Sequence, residues 1–331
     1  MSHEISERDV QVGIKQAWHG LTQIEEKITA DNCRILYPMS IQQMYYKDAE
    51  SGEYIEGNGR QIVSMDDGLP VGRPVGKDYE MIDNRKVWDT LMEGLAGTKH
   101  QIVSCGSVKE RSLGFISVKL DENFVAAGRE TESTLNMQWG HGGNSSVVYR
   151  TGTTVIVCWN TYQAAQRESK AKYKVRHSGN ANMDALAKAI DAHVGVTAEF
   201  KRAMDEFHSI DVTFDKARKI YAGFIGGQAW RKEIPDTKNG ATRFLNTVNE
   251  MTSLFETGKG NKGKTMADVF NGATDYYSHV AGSSDKWQQF ISSEFGVGNN
   301  RKQEFYDVLS DETELHKAVN RGEVILTALG A

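Results

Sequence analysis

The apolar residues change period once along the chain, and that change constrains the fold more than any single motif. Up to about residue 165 they come in short runs rich in β-formers. Ile41 to Tyr46, Tyr54-Ile55 and Arg60 to Met65 are parted by Ser51-Gly52 and Asn58-Gly59, and Asn-Gly is a strong hairpin signal. Further runs follow at Gln101 to Cys105, Leu113 to Leu120, Phe124 to Ala127, Leu135 to Trp139, Val147 to Tyr149 and Val155 to Trp159. One helix interrupts them, because Val87, Trp88, Leu91, Met92 and Leu95 keep helical spacing between Asp83 or Asn84 as cap and Gly97 as stop.

Beyond that point the spacing turns helical. Met183, Leu186, Ile190 and Val194 form one stripe, and Phe200, Met204 and Phe207 another. Ile220, Tyr221 and Phe224, then Phe244, Val248, Met251 and Phe255, then Met266, Val269, Phe270, Ala273, Tyr277 and Val280 continue the pattern, with shorter segments near Trp287 to Ile291, Phe305 to Leu309 and Leu315 to Val319. These stripes read as core packing. The expected fold is α+β: an N-terminal antiparallel or mixed sheet with one or two helices, then a mainly helical C-terminal half. A strand-rich region over 1–165, a basic connector over 166–180 and a helical region over 181–331 describe the organisation, and the first and last can form one continuous domain.

Size and composition set the class. With 331 residues, 39% hydrophobic and 25% charged, the chain buries a core without staples. Cys33, Cys105 and Cys158 are odd in number and widely spaced, which fits neither a secreted disulfide framework nor a zinc site. The N-terminus lacks an apolar leader core and no run is long enough to span a bilayer, so a cytoplasmic protein off the membrane is expected. No HExxH pair or GxSxG elbow is present, and neither metal nor cofactor is expected. Net charge is −5 overall. Residues 1–160 carry 16 Lys+Arg against 22 Asp+Glu, and 161–331 carry 23 against 22, so a polyanion would meet a local patch rather than the whole surface.

Gly258-Lys-Gly-Asn-Lys-Gly263-Lys264-Thr265 satisfies the phosphate-loop pattern G-x-x-x-x-G-K-[ST]. Such a loop follows a buried strand, whereas 244–255 has helical spacing, and no later apolar strand ends in a metal-holding Asp. The expected structure is a connector between helices, with Thr265 as N-cap and Asp268 closing a capping box, and no nucleoside triphosphate is expected there.

The densest basic segment runs from Arg167 to His177, with Arg167, Lys170, Lys172, Lys174 and Arg176 against one acid. In an extended chain Lys170, Lys172, Lys174 and Arg176 share one face, at a spacing suited to phosphates, and Tyr173 takes the other; a solvated linker has the same composition. Trp18-His19-Gly20-Leu21 places an aromatic beside a titratable group. His141-Gly142-Gly143-Asn144-Ser145 is either an anion-facing loop or a turn, and Cys158-Trp159-Asn160-Thr161 ends a strand. A nucleophilic Cys158 needs a His partner such as His19, His141 or His177; the alternative is an inert buried cysteine.

In this order, Trp18-His19-Gly20-Leu21, His141-Gly142, Val157 to Thr161, Arg176-His177, Asn246 to Glu250 and Asn271 to His279 resemble the phage/plasmid-like proteins catalogued as a domain of unknown function. Gly272 and Asp275 stand where that pattern has Ala and Glu. The resemblance implies carriage by phages, plasmids or integrated elements and transfers no catalytic residue. His19, His141, Cys158 and Asn160 are positions of that pattern without a known role.

Three functions remain open on this sequence. The leading expectation is a non-catalytic homo-oligomer that binds single-stranded DNA in annealing or recombination. Arg167, Lys170, Lys172, Lys174, Arg176 and His177 would lie at the phosphates, and Trp18, Trp159 and Tyr173 would act as stacking platforms. The alternatives are a hydrolase or transferase on nucleotides or nucleic acid, built on His19, His141 and Cys158, and a structural or protein-interaction protein of a phage.

Overall fold

The computed structural model describes residues 8–9, 11–14, 22–23, 26–33, 35–142, 146–155, 160–163, 172–175, 198–228, 238–282, 284, 288–289, 292–293 and 296–331. Eleven strands are described: β1 (Gln11–Gly13), β2 (Thr22–Gln23), β3 (Met39–Lys47), β4 (Tyr54–Ser64), β5 (Val75–Gly76), β6 (His100–Val108), β7 (Leu113–Ala126), β8 (Arg129–Gly140), β9 (Val147–Val155), β10 (Asn160–Gln163) and β11 (Lys172–Val175). The helices are α1 (Asn84–Gly94), α2 (198–209), α3 (Phe214–Gly226), α4 (Lys238–Thr257), α5 (Met266–Asp275), α6 (Val297–Ser310) and α7 (Glu312–Ala328). A π-turn, Tyr276–Val280, continues α5. Antiparallel strands followed by helices make the chain α+β, as its change of period predicts. The expected helices over 183–194 and 287–291 lie wholly or mostly outside the described residues.

Contacts divide the chain into two compact units: 1–122 with 133–151 and 166–195, and 123–132 with 152–165 and 196–331. The eight-stranded sheet runs β10-β9-β8-β7-β6-β1-β2, with β11 also on β9, and a second sheet runs β3-β4-β5. In the first unit, α1 buries Val87, Trp88 and Leu91 against Ile102, Ile116, Val118 and Leu135. The sequence places both ends of α1. Asp83 accepts from the Arg85 N–H at 2.6 Å, and Gly97 takes φ 79° past the last turn. Cys33 and Cys105 meet in this core as free thiols with sulfurs 3.3 Å apart. The contact with Cys33, then burial, pushes the Cys105 thiol far up.

Two local expectations need correction. Asn58-Gly59 is not a hairpin turn, because β4 runs through it. The turn is at Ser51-Gly52, where the Asp48 carboxylate accepts from the Glu50 and Ser51 N–H groups and Gly52 takes φ 73°. Register slips between Gln43 and Tyr45, so residues 57–59 bulge opposite Met44, and Gln43 Nε2 donates to the freed Gly57 carbonyl at 2.6 Å. Nor are Leu113 to Leu120 and Phe124 to Ala127 separate strands. They are one 14-residue strand, β7, closed by Ala127 (φ 52°) and Gly128 (φ 70°), which supply the two left-handed residues of a tight hairpin.

The second unit has an aromatic centre. Tyr221 stacks on Phe305 at 5.7 Å, Phe224 meets Phe305 edge-on at 4.8 Å, and Phe207, Phe270 and Tyr306 form a second group. Helices α3 and α7 cross backbone against backbone: a Cβ on Gly223 would overlap the Ala318 carbonyl oxygen, and one on Gly322 the Lys219 carbonyl oxygen.

Candidate functional site

Among the sequence-derived candidates, His141 is described in full. It is 5% exposed, and its Nε2 lies 2.9 Å from Asn84 Oδ1, which also accepts from Trp139 Nε1–H at 2.8 Å. Asn84 Nδ2 donates to the Tyr37 carbonyl, which fixes the amide's orientation. Oδ1 is therefore the acceptor and His141 carries its proton on Nε2. Gly142 takes φ 105° and packs against Gly72, whose added Cβ would sit 2.5 Å from the His141 carbonyl oxygen. This geometry ties helix, sheet and loop together and holds His141 in the protein interior.

The other family-pattern positions are less complete. Asn160 begins β10. Trp18, His19, Cys158, Trp159, Arg167, Lys170, Arg176 and His177 lie outside the described residues. Lys172, Tyr173 and Lys174 form β11, which pairs antiparallel with β9 in the register Lys172↔Arg150, Tyr173↔Tyr149, Lys174↔Val148. Positions 172, 174 and 150 thus share one sheet face and positions 173 and 149 the other. Among the described residues no strand pairs with the second edge of β11.

The phosphate-loop look-alike joins two helices. Helix α4 precedes it, and Thr265 with Asp268 forms the expected reciprocal capping box at the start of α5. Its polar groups are answered from within the protein. Asp268 accepts from the Lys264 and Thr265 N–H groups at 3.0 and 3.1 Å and pairs with Arg129, and the Arg129 guanidinium also donates to the Gly260 carbonyl and Asn261 Oδ1. Burial raises the Asp268 pKa, but these N–H groups and the arginine more than offset it and hold the carboxyl below its ordinary value. A carboxylate thus sits where a phosphate would need the backbone N–H groups.

The residues that sequence reasoning missed as a site surround a cavity of about 390 Å3 in the helical unit. The family-pattern stretch Asn271 to His279 ends α5 and makes the π-turn, in which the Ala281 N–H donates to the Tyr276 carbonyl at 2.7 Å. Such turns insert one extra residue into a helix and recur at functional sites. The insertion brings Tyr276 and Tyr277 onto the cavity wall with rings edge to face, 5.3 Å apart. Thr247 of α4, Gln228, and Gly298 and Arg301 of α6 also line it. Gln228 is 8% exposed and adjoins the Tyr277 hydroxyl, yet its Nε2 makes no well-formed hydrogen bond among the described residues. Burial pushes the Tyr277 phenol well above its ordinary range, and Arg301 is held through Nη1 by Glu304.

Next to this wall Lys302 is wholly buried, its ammonium donating to Ser293 Oγ at 3.0 Å and to Ser278 Oγ at 3.4 Å. Asp275, 3.9 Å from His279, is pushed up to about 6 by burial, against the pull of Lys259. The spacing of Tyr277 and Val280 looks like the tail of an amphipathic helix. Only the ordered polar residues of the family pattern marked this stretch as more than core.

A helical unit with a small, largely apolar cavity and a mainly antiparallel sheet unit define an α+β protein with no recognisable catalytic constellation among its described residues. The chain belongs to the family described as Domain of unknown function (DUF932), which matches residues 73–313. No curated protein and no solved structure matches it. No helix among the described residues is long and apolar enough to cross a membrane.

Proposed function

We propose that this is a single-stranded nucleic-acid-binding protein of a phage, plasmid or integrated element, acting as a homo-oligomer in annealing or recombination in the host cytoplasm. The observation that carries the reading is the register of β11 on β9. It aligns Lys172 and Lys174 with Arg150 on one face of the strand pair and sets Tyr173 across from Tyr149 on the other. Strand-spaced cations track a phosphate backbone, and tyrosines offer stacking faces to unpaired bases. Trp18, Trp159, Arg167, Lys170, Arg176 and His177 extend the same interface in this reading.

Lysines on a strand whose second edge is unpaired among the described residues also protect it from pairing with other chains, and the experiment separates the two roles. Fluorescence anisotropy of the purified chain with a labelled single strand and the matching duplex, from about 50 to 200 mM salt, should show single-strand binding that weakens steeply. Replacing Arg150, Lys172 and Lys174 by Ala should flatten the slope of log affinity against log salt by about 2. No binding at the lowest salt, or equal binding by the triple variant, would overturn the proposal, and equal affinity for duplex would remove its single-strand preference.

A further inference from the structure

The cavity beside the π-turn is independent of the β11 interface, and its wall combines three kinds of chemistry. Tyr276 and Tyr277 present one ring edge-on to the other, beside Gly298, which has no side chain. The Gln228 amide is buried against the Tyr277 hydroxyl with its Nε2 lacking a well-formed hydrogen bond, and Thr247 lines the same space, its hydroxyl donating to the Arg243 carbonyl at 3.0 Å and so left as an acceptor. Among the described residues lining the cavity Arg301 carries the one charge, with its Nη1 on Glu304. A buried amide whose hydrogen bond is poorly formed costs stability that a ligand acceptor would return, and a guanidinium in a walled site favours an anion with two acceptor oxygens. The volume lies toward the small end of small-molecule sites.

We propose that this cavity binds a small molecule joining a flat heteroaromatic ring to one anionic group, the chemistry of a mononucleotide. The ring packs against Tyr276 and Tyr277, its polar edge meets Gln228 and Thr247, and the anionic group meets Arg301. A cationic ligand would face Arg301 unfavourably, and a purely aliphatic one would give the Gln228 amide no acceptor better than the Tyr277 hydroxyl.

Isothermal titration calorimetry of the full chain with AMP, adenosine and inorganic phosphate tests this. AMP should bind about tenfold to hundredfold more tightly than adenosine, the contribution of one charge-assisted contact, and phosphate alone should bind most weakly. Arg301→Gln, which removes the charge and keeps a shorter polar side chain, should bring AMP down to the adenosine level and leave adenosine unchanged. Thr247→Val, which is nearly isosteric, should weaken both. Absence of AMP binding at millimolar concentration, adenosine binding as tightly as AMP, or AMP binding unaltered by Thr247→Val would each overturn the proposal. The last outcome decides the matter even if Arg301→Gln fails to fold. Loss of single-strand binding in the β11 variant bears only on the other interface, so either reading can fail alone.

Discussion

At Gly272 the structure leaves no room for a side chain. A Cβ built there lies 2.6 Å from Tyr221 Oη, 2.9 Å from the Phe255 backbone nitrogen and 3.2 Å from the Met251 carbonyl oxygen. Ordinary contact needs about 3.4 Å or more, so the first two fall short by roughly 0.8 and 0.5 Å. Neither neighbour yields easily: Tyr221 is fully buried and donates to the Val269 carbonyl at 2.7 Å, and Phe255 is backbone of α4. Overpacking costs about 1–3 kcal/mol, and displacing the tyrosine hydroxyl from its acceptor costs a further ~1–3 kcal/mol. Against this, Ala gains about 1 kcal/mol of helix propensity. Gly272→Ala should therefore destabilise the helical unit by about 1–5 kcal/mol, read as a lower urea midpoint with unchanged slope. Tyr221→Phe removes the nearest clashing atom, so the double variant should cost at least 1 kcal/mol less than the sum of the singles. Gly272→Ala at or above wild-type stability, or singles that add within about 0.5 kcal/mol, would refute the reasoning.

Arg129→Met leaves the Asp268 carboxylate buried without its cation, and should cost about 3–5 kcal/mol in urea unfolding; a loss under 1 kcal/mol would show that the connector does not depend on it. Asp275 has its pKa raised by burial from 3.8 to about 6, so the folded state holds its proton more tightly and this group's contribution falls as pH rises from about 4 to 6. After allowance for solvent screening, Asp275→Asn should be about 1–2 kcal/mol more stable than wild type at pH 7. The gap should close below pH 4, and a gap independent of pH would contradict the assignment. Asn84→Leu removes the shared acceptor of Trp139 and His141 and should lower stability by about 2–5 kcal/mol, with altered tryptophan fluorescence; an unchanged melt and spectrum would show that the triad is incidental.

The parts of the fold that sequence made legible are those in which local chemistry and tertiary packing agree. Helix α1 carries its own cap, stripe and glycine stop, and the Thr265–Asp268 box is written in four consecutive residues. Where packing overrode the local signal, sequence misled. Asn58-Gly59 is absorbed into β4 as a bulge because β3 has only Met44 to set against three residues. Ala127-Gly128 turns a hairpin without an Asn or Asp to announce it, and the Asp205 carboxylate accepts the Ala127 N–H there at 2.9 Å. Cys33 and Cys105 are 72 residues apart in sequence and touch only because β6 and a loop share one core.

The phosphate-loop pattern and the cavity show the same limit from opposite sides. Eight residues matched a motif letter for letter, yet the motif works only when a strand aims the backbone N–H groups at a vacant anion site. Here a helix leads in, and the protein's own Asp268 takes two of those N–H groups while Arg129 takes the carbonyl and amide oxygens. The groups lining the cavity come from separate stretches of chain, with Gln228 far in sequence from Arg301. No local pattern joins them, and the π-turn that aligns Tyr276 with Tyr277 reads in sequence as ordinary helix. A motif therefore counts as a site only when its donors are still available to a ligand. The Gln228 amide, which faces the Tyr277 hydroxyl without a well-formed bond, comes closer to that condition than the connector N–H groups of Lys264 and Thr265, which Asp268 already holds.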